Sequence, residues 1–459
     1  MKKKVTVKMP KVIIFIVAFL LIVIIVRLSY ISLSSSIDGI NLHDFANNRN
    51  TKSEIIYAKR GNIYDYEGNT LASTVNSYTI IAYLDKNRTT NPKNPQHVVN
   101  KETTAKALNE ILGIDYEFAL ERLNKDAYQV EFGSKGGNIS ESTKNKIDAL
   151  DLPGIDFIVG QKRTYSMGSF ASYIIGYAKM SEEGNIVGEL GIESFYNDDL
   201  SGKDGKTTYQ TDAYGYTLPS AEVITERAID GNDIYLTIDS NIQLFAENLT
   251  RNLSSEYNMD WMIFSVMDAK TGAIVASSTS PNFNPNDLNT ISSYMNPLVS
   301  YEYEPGSTMK IFSFASSIEE GKYDGSSTYN SGTITLKDGT TIKDYNKIGW
   351  GTITYDTGFA YSSNVAATKL ALSLGSDTLK EYYRKLGFGT KTGIELANEV
   401  NGKINFKYES ELATASFGQG ITVTPIQMLQ ALSSLTNDGT TLKPYIVDKI
   451  VGKNGEIIY

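Results

Sequence analysis

With 459 residues, 41% of them hydrophobic and 21% charged, the chain has the length and composition of two or three globular domains. A net charge of −9 argues against nucleic acid as a partner. The absence of cysteine removes thiol chemistry and fits an extracytoplasmic setting. With His43 and His97 both far upstream, Ser-His and Cys-His catalysis in the C-terminal half is excluded by inventory.

The chain begins with Lys2, Lys3, Lys4, Lys8 and Lys11, then runs apolar from Val12 to Val26, with Arg27 before Leu28-Ser29-Tyr30-Ile31. This reads as a membrane anchor over 12–31 with a cytoplasmic tail at 1–11 and everything beyond outside, since lysines stay on the cytoplasmic side. A cleaved signal peptide is the competing reading; the length of the apolar run and the lack of a small-x-small site favour the anchor. Residues 32–50 are polar and read as a linker.

From Ile55 the pattern becomes strand-like. Arg60-Gly61-Asn62-Ile63-Tyr64-Asp65 and a Glu67-Gly68-Asn69 turn lead to a strand over Ser77–Leu84. Residues 101–127 have helical period, with Leu108, Ile111, Leu112, Phe118, Leu120 and Leu123 as the apolar set. No spacing in this region carries chemistry, and its acidic residues, those of Gly188-Glu189-Leu190-Gly191-Ile192-Glu193 included, read as solvated surface. The region to residue 228 is expected to be a mixed α/β pedestal.

A break near 226–232 precedes a short strand, Ile234–Ile238. Asp239 or Ser240 is placed to cap a helix whose apolar face is Ile242, Leu244, Phe245 and Leu249. Met262–Met267 and Ala273–Ser277 form a hairpin around Asp268-Ala269-Lys270-Thr271-Gly272. Together with the helices that follow, this predicts an α+β layer with an antiparallel sheet over 229–459.

The chemistry concentrates in Tyr303-Glu304-Pro305-Gly306-Ser307-Thr308-Met309-Lys310, a turn entering a helix that Gly321 closes. Ser307 and Lys310, three residues apart, share a face of its first turn. Apolar walls and the helix dipole both disfavour an ammonium there, which makes Lys310 a candidate base and Ser307 a candidate nucleophile. No other serine in the chain has a lysine three positions on. A lysine that merely snorkels to solvent from a buried helix start is the competing reading. Downstream, Ser362-Ser363-Asn364 stands at a loop-to-helix junction. Thr424 and Pro425 open a helix to about Leu435, and Leu442–Val451 is a strand.

Ser307-x-x-Lys310 followed by Ser362-x-Asn364 resembles the penicillin-binding proteins and serine β-lactamases. The anchor, Arg60-Gly61-x-Ile63-x-Asp65, Gly191-Ile192-Glu193, Leu236-Thr237-Ile238-Asp239, Thr392-Gly393-Ile394-Glu395-Leu396 and Gly418-Gln419-Gly420 through Thr424-Pro425-x-Gln427 resemble the class B members over nearly the whole chain. Tyr66 departs from the arginine usual there. The resemblance implies a pedestal over 32–228 and a serine transpeptidase domain over 229–459, acting on peptidoglycan stem peptides and acylated by β-lactams. It implies a glycosyltransferase among the cell-wall-assembly partners, and neither metal nor organic cofactor. Ser307 would attack, Lys310 would be the base, Ser362 would relay a proton and Asn364 would bond Lys310 or the substrate. A β-lactam-sensing or hydrolysing protein and a non-catalytic scaffold are the alternatives.

The family's third element is a Lys-Thr/Ser-Gly strand. Lys391-Thr392-Gly393 matches in composition but begins only 27 residues after Asn364 and runs into Ile394-Glu395-Leu396. It is therefore read as a separate structural signature. The expectation is that the true strand lies beyond Tyr459, leaving the transpeptidase domain partial.

Overall fold

A helix of 25 residues, Met9–Leu33, carries the N-terminal apolar run unbroken past Arg27. Its stretch Ile13–Ile31 is exposed throughout, as a lipid-facing helix would be, and is long enough to cross a bilayer. The computed structural model describes residues 9–33, 36–37, 40–41, 51–181, 184–210 and 224–459. Lys2, Lys3, Lys4 and Lys8 of the expected tail, and His43 with most of the 32–50 linker, lie outside the described residues.

The chain divides into two compact units. The first, residues 1–58 and 203–229, contains the apolar helix and an antiparallel sheet in which Gly205–Gln210 lies between Thr51–Ile56 and Ile224–Glu226.

The second, residues 59–202 and 230–459, is α+β. Its largest sheet has six strands: Val447–Val451, Asp233–Leu236, Ile63–Tyr64, Thr70–Tyr83 and Gln129–Glu131 in order, with Ile155–Tyr165 also on Thr70–Tyr83. The Glu67-Gly68-Asn69 turn joins two of these strands as its composition predicts, with Asp65 accepting from the Asn69 amide. The predicted helix over 101–127 is two helices. Gly113, at φ +62, closes Lys101–Leu112 in the left-handed conformation, and Asp115 caps Tyr116–Leu123.

Glu193 overturns the reading of the pedestal acids as solvated surface. It is 0% exposed and takes Arg60 Nε at 2.7 Å and Arg163 Nε at 2.6 Å, while Tyr165 Oη donates to it at 3.2 Å. The two guanidiniums hold its carboxyl below the usual range against the opposing effect of burial. This network ties Arg60, Arg163 and the short Gly191–Phe195 helix into one buried knot.

The helix after Asp239 is capped as predicted, with Asp239 accepting from the Asn241 and Ile242 amides, and spans Ser240–Glu256. Its buried face is the opposite of the predicted one. Gln243, Ala246, Glu247 and Thr250 point inward, whereas Ile242, Leu244 and Phe245 are exposed. The inward set shares the same helical spacing and is satisfied: Glu247 accepts from the Ala171 amide at 2.7 Å, and Gln243 bridges Glu247 and the Ser277 backbone.

The predicted hairpin forms from Met262–Met267 and Ile274–Ser280. Thr424 caps the Pro425–Thr436 helix as its sequence predicts, and it does so in a capping box with Gln427. The C-terminal strand is shorter than expected, Val447–Val451 rather than Leu442–Val451, because the preceding residues cross the hairpin by the single bridge Ala273–Tyr445.

Candidate functional site

The Pro305-Gly306 turn does not pass directly into an α-helix at Ser307. Gly306–Met309 is a 3₁₀ turn, and the α-helix proper is Lys310–Glu319. The tighter winding still brings residues i and i+3 together. Ser307 is thereby left exposed, and Lys310 is only 3% exposed. The helix is held from behind. Met309 and Phe312 pack with Leu379, Tyr383, Phe388 and Val423, while Phe314 packs with Val365, Ala366 and Phe417. Ser313 Oγ adds a polar tie, meeting Tyr383 Oη at 2.9 Å and donating to the Ser416 carbonyl at 2.6 Å.

Lys310 Nζ donates to Ser307 Oγ at 3.2 Å and to Ser362 Oγ at 3.0 Å, and it also reaches the Ser362 carbonyl. The amine therefore stands between the two hydroxyls. Burial pulls its pKa down to about 8, opposed by the negative charge of Asp344. Ser362 is a non-glycine residue at φ +54, and that conformation turns both its carbonyl and hydroxyl toward Lys310. Ser363 then caps the Asn364–Leu374 helix, accepting from the Ala366 amide at 3.0 Å. Asn364 makes no hydrogen bond to Lys310 among the described residues; its Nδ2 donates instead to the Lys343 carbonyl at 2.9 Å.

The Lys391-Thr392-Gly393 stretch is engaged elsewhere. Thr392 donates through both its amide and Oγ1 to Glu399 Oε1 at 2.6 Å, and the Gly393 amide donates to Glu399 Oε2 at 3.0 Å. Lys391 is exposed.

Two contributors escaped the sequence reading. Asp344 is 1% exposed and lies behind the Ser362 turn. Gly418 sits against Gly306, accepting its amide at 3.0 Å. The Gly418-Gln419-Gly420 pattern carried that second signal; an isolated aspartate in Lys343-Asp344-Tyr345 carried none.

Residues 262–457 match the penicillin binding protein transpeptidase domain, and residues 55–236 match the penicillin-binding protein dimerisation domain. The chain belongs to the class B penicillin-binding proteins. Among its relatives is the stage V sporulation protein D of Bacillus subtilis, 34% identical over 397 residues, covering 84% of this chain and 59% of that protein. Another is the peptidoglycan D,D-transpeptidase MrdA of Escherichia coli, 27% identical, covering 88% of this chain and 68% of that one. The crystal structure of penicillin binding protein 2X from Streptococcus thermophilus superposes with a TM-score of 0.72 at 32% identity, over 88% of this chain and 62% of that one. The chain thus spans about three fifths of the Bacillus and Streptococcus relatives.

Proposed function

We propose that this class B protein is a serine peptidoglycan D,D-transpeptidase, with residues 32–228 as pedestal and 229–459 as catalytic domain. One observation carries the reading. A buried lysine amine, with its pKa brought down to about 8, stands within hydrogen-bond distance of both an exposed serine hydroxyl and a second serine.

In the proposed reaction, Ser307 Oγ attacks the carbonyl of the penultimate D-alanine while its proton passes to Lys310. The tetrahedral intermediate is stabilised in part by the Ser307 backbone amide. As the C–N bond breaks, Lys310 returns a proton through Ser362 to the departing D-alanine amine. The acyl-serine is then resolved by an amine of a neighbouring stem peptide, which completes the cross-link. Asn364, whose Nδ2 is held by the Lys343 carbonyl, takes the role of hydrogen-bonding the substrate amide. The reaction needs no metal or organic cofactor, and β-lactams acylate the same oxygen.

The apolar helix holds the catalytic domain outside the cell, with the lysine-rich tail in the cytoplasm. The partners that follow are stem peptides and a glycosyltransferase that supplies the glycan strand. Incubating the purified chain in detergent micelles with a synthetic stem pentapeptide and an amine acceptor tests the reading. D-alanine release with formation of the cross-linked peptide supports it, and Ser307→Ala abolishes both. Steady turnover of a chromogenic β-lactam without cross-linking would instead favour a hydrolase. Cross-linking that survives Ser307→Ala would reject the assigned nucleophile.

A further inference from the structure

Asp344 is buried at the end of the Thr341–Lys343 strand, yet no step above uses it. Its carboxylate is fully engaged. Oδ1 accepts from Ser363 Oγ at 2.8 Å and from the Val365 amide at 3.0 Å; Oδ2 accepts from the Gly332 amide at 2.7 Å. Its own amide donates to the Gly332 carbonyl at 2.9 Å. One side chain therefore clamps three segments: the strand it ends, the Gly332 turn, and the start of the Asn364–Leu374 helix.

The residue next to its hydrogen-bond partner Ser363 is Ser362, whose left-handed backbone presents the hydroxyl and carbonyl that Lys310 contacts. Such a conformation persists only where surrounding bonds enforce it. Asp344 is also the carboxylate whose charge reaches the Lys310 amine. The groups bonded to the Lys310 amine are the Ser307 and Ser362 hydroxyls and the Ser362 carbonyl, while Asp344 acts on it through its charge. The titratable groups that feel Asp344 are Lys310 and Tyr329.

We infer that Asp344 is a positioning residue of the Ser307 site, holding the 362–365 turn in the register that presents Ser362 to Lys310. The inference rests on the transpeptidase reading for its purpose but not for its first test. That test follows Lys310 itself, by titration of its ¹³Cε resonance in chain labelled with ¹³C-lysine and assigned with Lys310→Arg.

Asp344→Asn removes the charge. It is expected to lower the Lys310 midpoint, since the Asp344 charge raises it, and Asp344→Glu to restore it in part. The second test is the rate of labelling by a fluorescent penicillin. Ser363→Ala, which removes the clamp's bond nearest Ser362 and keeps the charge, is expected to slow acylation by about tenfold. An unmoved midpoint in folded Asp344→Asn, checked by its melting temperature, overturns the inference. Should Asp344→Asn not fold, Ser363→Ala decides, and wild-type labelling in that variant overturns the clamp. A wild-type chain that is never labelled at Ser307 counts against the transpeptidase reading, while the Lys310 titration still decides the role of Asp344.

Discussion

Gly306 donates its amide to the carbonyl of Gly418 at 3.0 Å, which fastens the turn carrying Ser307 to the loop 416–420. The approach is close. Gly418 lies at φ +79, and a Cβ there would sit 2.1 Å from the Gly306 carbonyl oxygen, a backbone atom with no freedom to yield. Gly418→Ala is therefore expected to displace the Ser307 turn as well as strain its own backbone. Because a displacement of about 1 Å can cost ~100-fold in rate, penicillin acylation should fall by that order while the circular dichroism spectrum stays that of a folded chain. Acylation at the wild-type rate would show that the contact is slack.

The pH dependence follows from Lys310. Burial brings its pKa from 10.5 to about 8, so the amine is the free base only above that range. Acylation of Ser307 is expected to rise with pH through about 8 and level off beyond it. Lys310→Arg keeps a positive charge that does not titrate in this range, and it should abolish the limb along with the activity. A stopped-flow profile between pH 6 and 10 in wild type and variant reads both effects.

Glu193 makes the pedestal testable by itself. Removing its charge leaves Arg60 and Arg163 buried and unpaired, since both side chains are 1% exposed. Glu193→Ala should destabilise the fold by about 3–5 kcal/mol, read as a lowered urea midpoint. A change under about 1 kcal/mol would mean that the knot is replaceable by water.

Glu395 gives a stability effect of the opposite sign. Its Oε2 accepts from the Ile446 amide at 3.0 Å, whereas its buried Oε1 has no partner among the described residues, and burial raises its pKa above the ordinary 4.5. An acid with a raised folded pKa favours the folded state when protonated. That contribution is present below about the ordinary value and is lost as pH rises through the folded one. Glu395→Gln is neutral at every pH, so it should raise stability by roughly 1 kcal/mol near pH 7.5 and give little or no gain at pH 4. Melting curves at the two pH values check the sign.

What was legible in the sequence was local. Ser307 and Lys310 meet because three residues of one turn separate them, and the Thr424–Gln427 capping box is likewise written within four positions. Ser362 could be placed by order and by the helix that follows it. The misreadings of which side chains are buried involve partners far apart in the chain. Glu193 is buried because Arg60 and Arg163 arrive from 133 and 30 residues away. Glu247 faces inward because the Ala171 amide waits 76 residues upstream, and so the Ser240–Glu256 helix turns its polar stripe to the core although its apolar stripe has the same period. Asp344 meets Ser363 across 19 residues of irregular hairpin, where no periodicity operates.

The central claim is that Ser307 is a nucleophile activated by Lys310. Intact-mass spectrometry of the purified chain after incubation with benzylpenicillin, followed by peptide mapping of the adduct, tests it most directly. The expected result is one penicilloyl group per chain, carried on Ser307 and absent from both Ser307→Ala and Lys310→Ala. An adduct on another serine, or undiminished Ser307 labelling in Lys310→Ala, would contradict it.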